Sequence, residues 1–265
     1  MRQEPKNSTS NPTYLIIGNG KLARHFIQYF SLLGVSFSHW TRSHGEGRLQ
    51  NLLSKPKTLF LCISDGAIQQ FIESISPADF PSHHSFIHFS GCLTINNCFG
   101  YHPLCSFSDR MFLLGEYQKI PFIGEEGAPP LKSLVPEWSC NPFFTISRGL
   151  KPLYHSYCVI AGNFTSILWK EIAQRMEGNL KLPHSVLQPY LDSIFKNLKN
   201  DLMKSLTGPL ARNDLKTIQS NIDSLKSDSL QQIYMSFVNF YFNQKQLDET
   251  KLSHPLPERI QYESP

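Results

Sequence analysis

The stretch Thr13–Arg24, TYLIIGNGKLAR, decides the reading of this chain. The apolar run Tyr14-Leu15-Ile16-Ile17 meets Gly18-Asn19-Gly20, and Lys21-Leu22-Ala23 opens an amphipathic segment carrying Leu22, Phe26, Ile27, Phe30 and Leu33. That order is strand, tight glycine turn, helix start. Its pattern, Gly-x-Gly-x-x-Ala, is the fingerprint that seats a dinucleotide pyrophosphate. Gly18 allows the turn, Gly20 lets backbone N–H groups approach phosphate, and Ala23 lets the helix pack against the strand. The helix N-terminus adds unpaired N–H donors and the positive end of its dipole. The expected cofactor contacts here are Gly18, Asn19, Gly20, Lys21, Leu22 and Ala23. The plainer alternative is a strand–turn–helix that uses small residues in its turn.

Working outward, the first helix is expected to end near Gly34, and Val35–Trp40 alternates as a second strand. A domain that prefers NAD places an acidic residue after this strand to bind the ribose hydroxyls. This chain has Thr41-Arg42-Ser43 instead, which suits a 2′-phosphate, with no carboxylate beside it to repel that group. The expected cofactor is therefore NADP(H), with Thr41, Arg42 and Ser43 as contacts.

Thr58–Ser64 is nearly all apolar and reads as a central strand covered on both faces. Asp65 is expected to cap a helix over Gly66–Ser76, and Ser85–Phe89 forms another strand ending at Ser90-Gly91. The alternation of strand and helix predicts an α/β fold with a doubly wound parallel sheet. Ligands in such sheets lie beyond the carboxyl ends of the strands. Gly18, Arg42, Ser64, Asp65, Ser90 and Gly91 fall on that edge, which adds Ser64, Asp65, Ser90 and Gly91 to the cofactor set. Cys98–Asp109 reads as a loop carrying His102, Pro121–Gly124 as a short strand, Pro129–Trp138 as a helix, and Phe143–Ile146 as the strand that closes the sheet.

From Lys151 the alternation gives way to helical periods. Leu153, Tyr157, Ile160, Phe164, Leu168 and Ile172 recur every three or four residues. Further helices are expected over Ser185–Lys204, after Asp214, and over Asp228–Asn243. The organisation that follows is a polar leader over 1–12, a Rossmann-like domain over 13–149, an all-helical domain over 150–246 and an arm over 247–265.

Composition narrows the function classes. The 265-residue chain carries a formal charge of +4, with lysine and arginine scattered rather than clustered. That speaks against a nucleic-acid surface. No apolar run reaches the ~20 residues a membrane span needs. The six cysteines show neither Cys-x-x-Cys pairs nor zinc spacing, as expected for reduced thiols in a cytoplasmic protein without a metal.

The motifs IIGNGKLARHF, LFLCISDGAI, IHFSG, YHPLCSFSD, LYHSYCVIAGNFTSILW and LTGPLARND together resemble a set of two-domain proteins with an N-terminal Rossmann-like domain and a C-terminal helical domain of unknown function. That set is similar to the NADP-linked reductases with a six-phosphogluconate-dehydrogenase-like helical domain. These include pyrroline-carboxylate reductases and ketopantoate reductases, one branch acting as an alternative ketopantoate reductase in pantothenate synthesis. The resemblance implies reduction of a small 2-oxo acid, best matched by ketopantoate, in a homodimer whose active site lies between the domains. Relatives commonly carry Arg-Gly-Asp where this chain has Arg212-Asn213-Asp214, and asparagine tolerates the positive φ of such a turn.

Hydride transfer requires a proton donor, hydrogen-bond donors and a cation for a substrate carboxylate. At ~100° per residue, His155, Val159, Gly162 and Ser166 share one stripe of the helix after Lys151, with Asn163 about 80° away. Leu153, Ile160, Phe164 and Leu168 are then expected to face the core. His155 and His102 are candidate acids, each balanced by a purely structural role. Lys151 is a third candidate if burial lowers its pKa, against the alternative of a solvated residue. Arg212 and Asn213 are candidate substrate contacts, Arg212 through a bidentate clamp on carboxylate. The rivals are a reductase of another carbonyl or a cyclic imine, and a dinucleotide-binding sensor or scaffold without turnover. A methyltransferase is disfavoured by the arginine in place of an acidic ribose ligand.

Overall fold

The computed structural model describes residues 13–55, 57–75 and 84–250, with side chains through residue 246. The expected leader and the end of the expected arm lie outside these residues. The chain divides into one compact unit ending at Ile172 and another beginning at Ala173. The change from strand to helix falls near Arg148-Gly149, yet the first turns of helix beyond it belong to the sheet-containing unit.

In that first unit, β1 (Tyr14–Ile17) leads through the glycine turn into α1 (Lys21–Leu32). β2 (Phe37–Trp40) follows, then a 3₁₀ turn at Arg42–His44 and α2 (Glu46–Leu53). β3 (Thr58–Leu61), α3 (Asp65–Ser74), β4 (Ser85–His88) and β5 (Cys98–Pro103) continue the winding. The short α4 (Leu114–Tyr117), β6 (Phe122–Glu125), the short α5 (Leu131–Leu134) and β7 (Phe143–Ile146) complete it. The strands form one seven-stranded sheet in the order β2-β1-β3-β4-β5-β6-β7. The reversal of winding lies between β1 and β3, the crevice where open α/β sheets bind ligands.

Pairing is parallel from β2 through β5, and β6 then runs antiparallel to β5. β5 occupies a stretch expected to be loop. Its composition, CFGYHP, lacks a continuous apolar run, but pairing with β4 and β6 supplies what propensity does not. His102 therefore stands on a strand. α2 and α4 have no counterpart in the sequence reading. The helix expected over Pro129–Trp138 is broken into α5 and a 3₁₀ turn at Pro136–Trp138, because Pro136 cannot continue the helical ladder.

Strand alternation builds a core on each face of the sheet. Tyr14, Ile16 and Phe60 pack with α1 and Trp138 on one face, and Leu15, Ile17, Leu59 and Leu61 pack with Trp40, Leu53 and Ile68 on the other. Ala23 is fully buried in the first cluster, so the small side chain of the fingerprint serves helix–sheet packing.

The helical segment begins with α6 (Lys151–Cys158), passes through a π-helical turn at Val159–Phe164 and continues as α7 (Thr165–Leu180). Leu153, Ile160 and Phe164 do not face the core as expected; they are 48%, 56% and 51% exposed. Their spacing encodes an apolar face without saying what covers it.

The second unit holds the end of α7, α8 (Leu187–Asn200), the short α9 (Gly208–Ala211), α10 (Leu215–Ser224) and α11 (Leu230–Thr250). Ile218, Ile222 and Val238 form its small core. Arg175 pairs with Asp228 at 3.1 Å, and Asp214 caps α10 by accepting from the Thr217 N–H. α11 extends through Thr250, so the first residues of the expected arm are helical. Among the described residues no helix is long and apolar enough to cross a membrane.

Candidate functional site

The glycine turn borders an open cleft of about 1120 Å³ at the carboxyl ends of β1, β2 and β3. Gly18, Asn19, Gly20, Lys21 and Leu22 line one wall, Thr41, Arg42 and Ser43 another, and Ser64 a third. Gly18 has φ +120°, and a Cβ there would lie 2.2 Å from the Cys62 carbonyl oxygen. Only glycine lets β1 end this close to β3. Gly20 differs: a Cβ there would meet nothing within 4 Å. It stands at the N-cap of α1, where the first N–H groups have no partner within the helix. An open backbone cradle at a long helix N-terminus fits a phosphate-bearing nucleotide.

His39, which sequence reasoning passed over, holds this turn from β2. Its Nε2 lies 2.7 Å from the Gly18 carbonyl oxygen. A carbonyl accepts only, so Nε2 carries the proton and donates. Lys21 shares Asp109 with Arg24, at 3.2 and 3.0 Å. Arg42 is exposed on the 3₁₀ turn, where the Thr41 and Ser43 hydroxyls are 2.7 Å apart. Glu46, at the start of α2, lines the same cleft as Arg42. A turn of helix returns a carboxylate that four residues of sequence had seemed to remove.

Further along the same sheet edge lies a second cluster. Ser64, not Asp65, is the N-cap of α3. Asp65 instead accepts from the Ser90 hydroxyl at 2.6 Å. The same hydroxyl oxygen accepts the N–H groups of Cys92 and Leu93 at 3.3 and 3.1 Å. Ser90 is thereby committed to shaping the β4 end. A Cβ on Gly91 would lie 2.5 Å from the His155 ring and 3.1 Å from the His102 ring. Gly91 is buried, and its missing side chain is the seat of α6.

His102 and His155 come together here, their rings perpendicular with centroids 5.9 Å apart. Tyr154 joins them, its hydroxyl 2.7 Å from His102 Nδ1. Burial, with the nearby His155 and Lys151, pulls the His102 pKa down to about 4 against an opposing pull from Asp65. His102 is neutral at pH 7. Burial, with a hydrogen bond to Cys158, keeps the Tyr154 hydroxyl protonated well above the ordinary tyrosine range.

Beneath this pair lies a charge group that the sequence did not reveal. Glu125 on β6 is fully buried between Lys151 Nζ at 3.1 Å and Arg148 at 2.8 Å. Lys151 is 3% exposed, so it is not the solvated residue of one sequence alternative. Its ammonium lies against Gly100, where a Cβ would be 2.3 Å away. His88 is close to the same point; burial and Lys151 lower its pKa to about 3. Lys151, Tyr154 and His155 share one face of α6 by their i, i+3, i+4 spacing, the signal that could have added Tyr154 to the candidates.

The remaining candidates are on other segments of the chain. Asn163 is exposed on the π-helical turn. That turn winds more slowly than an α-helix, so the phase that related Asn163 to His155 does not carry across it. Arg212 and Asn213 belong to the second unit, at the end of α9. Asn213 has φ +57°, a left-handed turn that asparagine tolerates.

The sequence profile of a domain of unknown function, DUF2520, matches residues 124–239. No curated protein matches the chain at a significant level. Among solved structures, a Thermotoga maritima protein aligns over 89% of this chain and 99% of its own, at 22% identity and a TM-score of 0.68. A Bacteroides fragilis protein named as a candidate NADP oxidoreductase aligns over 87% and 98%, at 18% identity and a TM-score of 0.66. An imine reductase from Myxococcus stipitatus in complex with NADP⁺ aligns over 89% and 95%, at 10% identity and a TM-score of 0.55. At these identities the likeness is one of fold. The chain has the Rossmann-like α/β architecture of NADP oxidoreductase structures, continued by helices.

Proposed function

We propose that this protein is an NADPH-dependent reductase that adds hydride to a small carbonyl or imine compound. The observation that carries the reading is one continuous sheet edge. It runs from the Gly18–Gly20 cradle, through Ser64 and Asp65, to the His102–Tyr154–His155 cluster. NADPH, when bound, supplies the hydride. Gly18, Asn19, Gly20 and Leu22 hold its pyrophosphate, Thr41, Arg42 and Ser43 its 2′-phosphate, and Ser64 lies beside them. His155 delivers a proton to the reduced substrate. Lys151, held by Glu125, sets the height of α6 so that Tyr154 and His155 meet the end of β5. Asn163 on the π-helical turn is a further proposed substrate contact, and Arg212 and Asn213 are proposed separately as groups that bind a carboxylate. NADP-bound reductases among the fold neighbours support the choice of cofactor.

The leading substrate is a 2-oxo acid, with ketopantoate the first to test because the motif resemblance points to it. A cyclic imine is the second reading, favoured by the imine reductase among the fold neighbours. We further propose a homodimer, since Leu153, Tyr157, Ile160, Phe164 and Ile167 form an exposed apolar face along α6 and the start of α7.

The test is NADPH oxidation followed with ketopantoate, other 2-oxo acids and 1-pyrroline, repeated with NADH and with Arg42→Ala. Turnover of one substrate class with a preference for NADPH that Arg42→Ala abolishes is the expected result. Tight NADPH binding with no turnover across the panel would favour a sensor. Equal use of NADH would assign the ribose contact to Glu46 instead of Arg42.

A further inference from the structure

His102 and Tyr154 raise a question that the reductase reading leaves open: what can a neutral imidazole do for the substrate? We propose that Tyr154 fixes His102 as an Nε2–H hydrogen-bond donor to a substrate carbonyl oxygen, which makes the site a carbonyl reductase in preference to an imine reductase. This deepens the reading above and rests on it for the reaction.

The Tyr154 hydroxyl lies 2.7 Å from His102 Nδ1. It also meets the Cys158 thiol one turn along α6. A phenol has a single proton to give, and an imidazole nitrogen is a much better acceptor than sulfur. The proton therefore goes to Nδ1, and the thiol donates to or merely packs against the tyrosine oxygen. With Nδ1 occupied as acceptor, a neutral His102 carries its own proton on Nε2. Among the described residues Nε2 has no hydrogen-bond partner, and it lies beside Gly91, whose missing side chain also makes room for the His155 ring.

The same molecule contains a completed version of this arrangement. His25 Nδ1 lies 2.9 Å from the Tyr117 hydroxyl, and its Nε2 lies 2.9 Å from the Ser108 carbonyl oxygen. A backbone carbonyl can only accept, so the singly protonated ring of His25 donates from Nε2 and accepts from Tyr117 at Nδ1. At His102 the tyrosine is present and the carbonyl is the substrate's to supply.

The charged and titratable groups around His102 agree with a donor that stays neutral. Lys151 and His155 approach from α6 and oppose a second proton on the ring, and Asp65 on α3 opposes them only in part. A neutral N–H donor stabilises charge as it develops on oxygen without giving up its own proton. In the reaction, hydride adds to the carbonyl carbon with its electron pair, the C–O π pair moves to oxygen, and NADPH becomes NADP⁺. The oxygen then takes its proton from His155, which regains one from solvent. His102 starts and ends with its proton on Nε2. Imine reduction needs the opposite setting. The reactive species is the iminium cation, which offers no lone pair to an N–H donor and is disfavoured near Lys151.

The test has a spectroscopic arm and a kinetic arm. Side-chain ¹⁵N NMR of the full-length protein without cofactor, with the His102 signals assigned by their loss in His102→Gln, reads the tautomer. We expect protonated Nε2 and acceptor Nδ1 in the parent, and a mixture of tautomers with a raised His102 pKa in Tyr154→Phe. In kinetics, Tyr154→Phe is expected to lower kcat about tenfold, one hydrogen bond's worth, with KM within about twofold. The parent is expected to favour ketopantoate over 1-pyrroline by at least about tenfold in kcat/KM. A proton on Nδ1 in the parent, or an unchanged tautomer in Tyr154→Phe, overturns the lock. Preference for 1-pyrroline overturns the substrate class. Turnover of neither compound while the lock is present removes the reductase reading, and the substrate class with it.

Discussion

At the scale of single residues, four glycines do three kinds of work. Gly20 leaves open space, Gly91 and Gly100 receive side chains from α6, and Gly18 permits a crossing of backbones. Gly18→Ala meets both a φ of +120° and a carbonyl oxygen 2.2 Å from the new Cβ. Neither can be relieved by a side-chain rotation, so we expect a loss of about 3 kcal/mol in a denaturant titration. NADPH binding, read by fluorescence, should weaken at least about tenfold. A parent-like stability would show that β1 and β3 are not so closely apposed.

Fully buried His88 and half-buried His102 set a pH dependence whose sign follows from linkage. The pKa of His88 is lowered from 6.5 to about 3, and that of His102 from 6.5 to about 4. Below pH 6.5 the unfolded chain binds protons that the folded chain refuses. Stability is therefore complete above about pH 6.5 and falls as the pH drops toward 4, by about 1.4 kcal/mol per pH unit for each histidine. Urea titrations at pH 7.5, 6 and 5 should show this decline, and His88→Gln should make it shallower. A flat profile would mean that these rings take up protons in the fold.

At the scale of elements, α6 is held by charge as well as by shape. Glu125 on β6 is fully buried with Lys151, which is 3% exposed. Removing one partner strands the other in a dry environment, and Lys151→Met is expected to cost about 3–5 kcal/mol. Arg148, which also reaches Glu125, softens the loss. The double variant Glu125→Gln/Lys151→Met should regain much of it. Additive losses in this double-mutant cycle would show that the two side chains do not interact. The π-helical turn that follows α6 is the other feature of this element. It changes the helical phase between His155 and Asn163, and a slower winding of this kind recurs at functional sites.

At the scale of the molecule, the apolar row along α6 and the start of α7 is the property that the monomer leaves unexplained. Tyr157, Ile160 and Ile167 are 60%, 56% and 56% exposed, although their spacing is that of a buried face. A second copy of the chain is the proposed cover. Analytical ultracentrifugation of the parent should give a dimer at micromolar concentration, and Ile160→Asp should shift it to monomer with its secondary structure retained. A parent that sediments as a monomer would remove the homodimer proposal.

Local order was legible in the sequence wherever one stretch contained its own explanation. The run from Tyr14 to Ala23 announces strand, turn and helix because chain geometry and glycine permissiveness act over a few neighbours. Phe143–Ile146 and the helix after Asp214 were readable for the same reason. β5 was not, because its strand state depends on β4 and β6 as partners. Nor was Tyr154 beside His102, or Glu125 beneath Lys151. Each of those pairs is made by packing between elements, and the energy that decides it, burial of charge and closeness of approach, exists only once the elements have met.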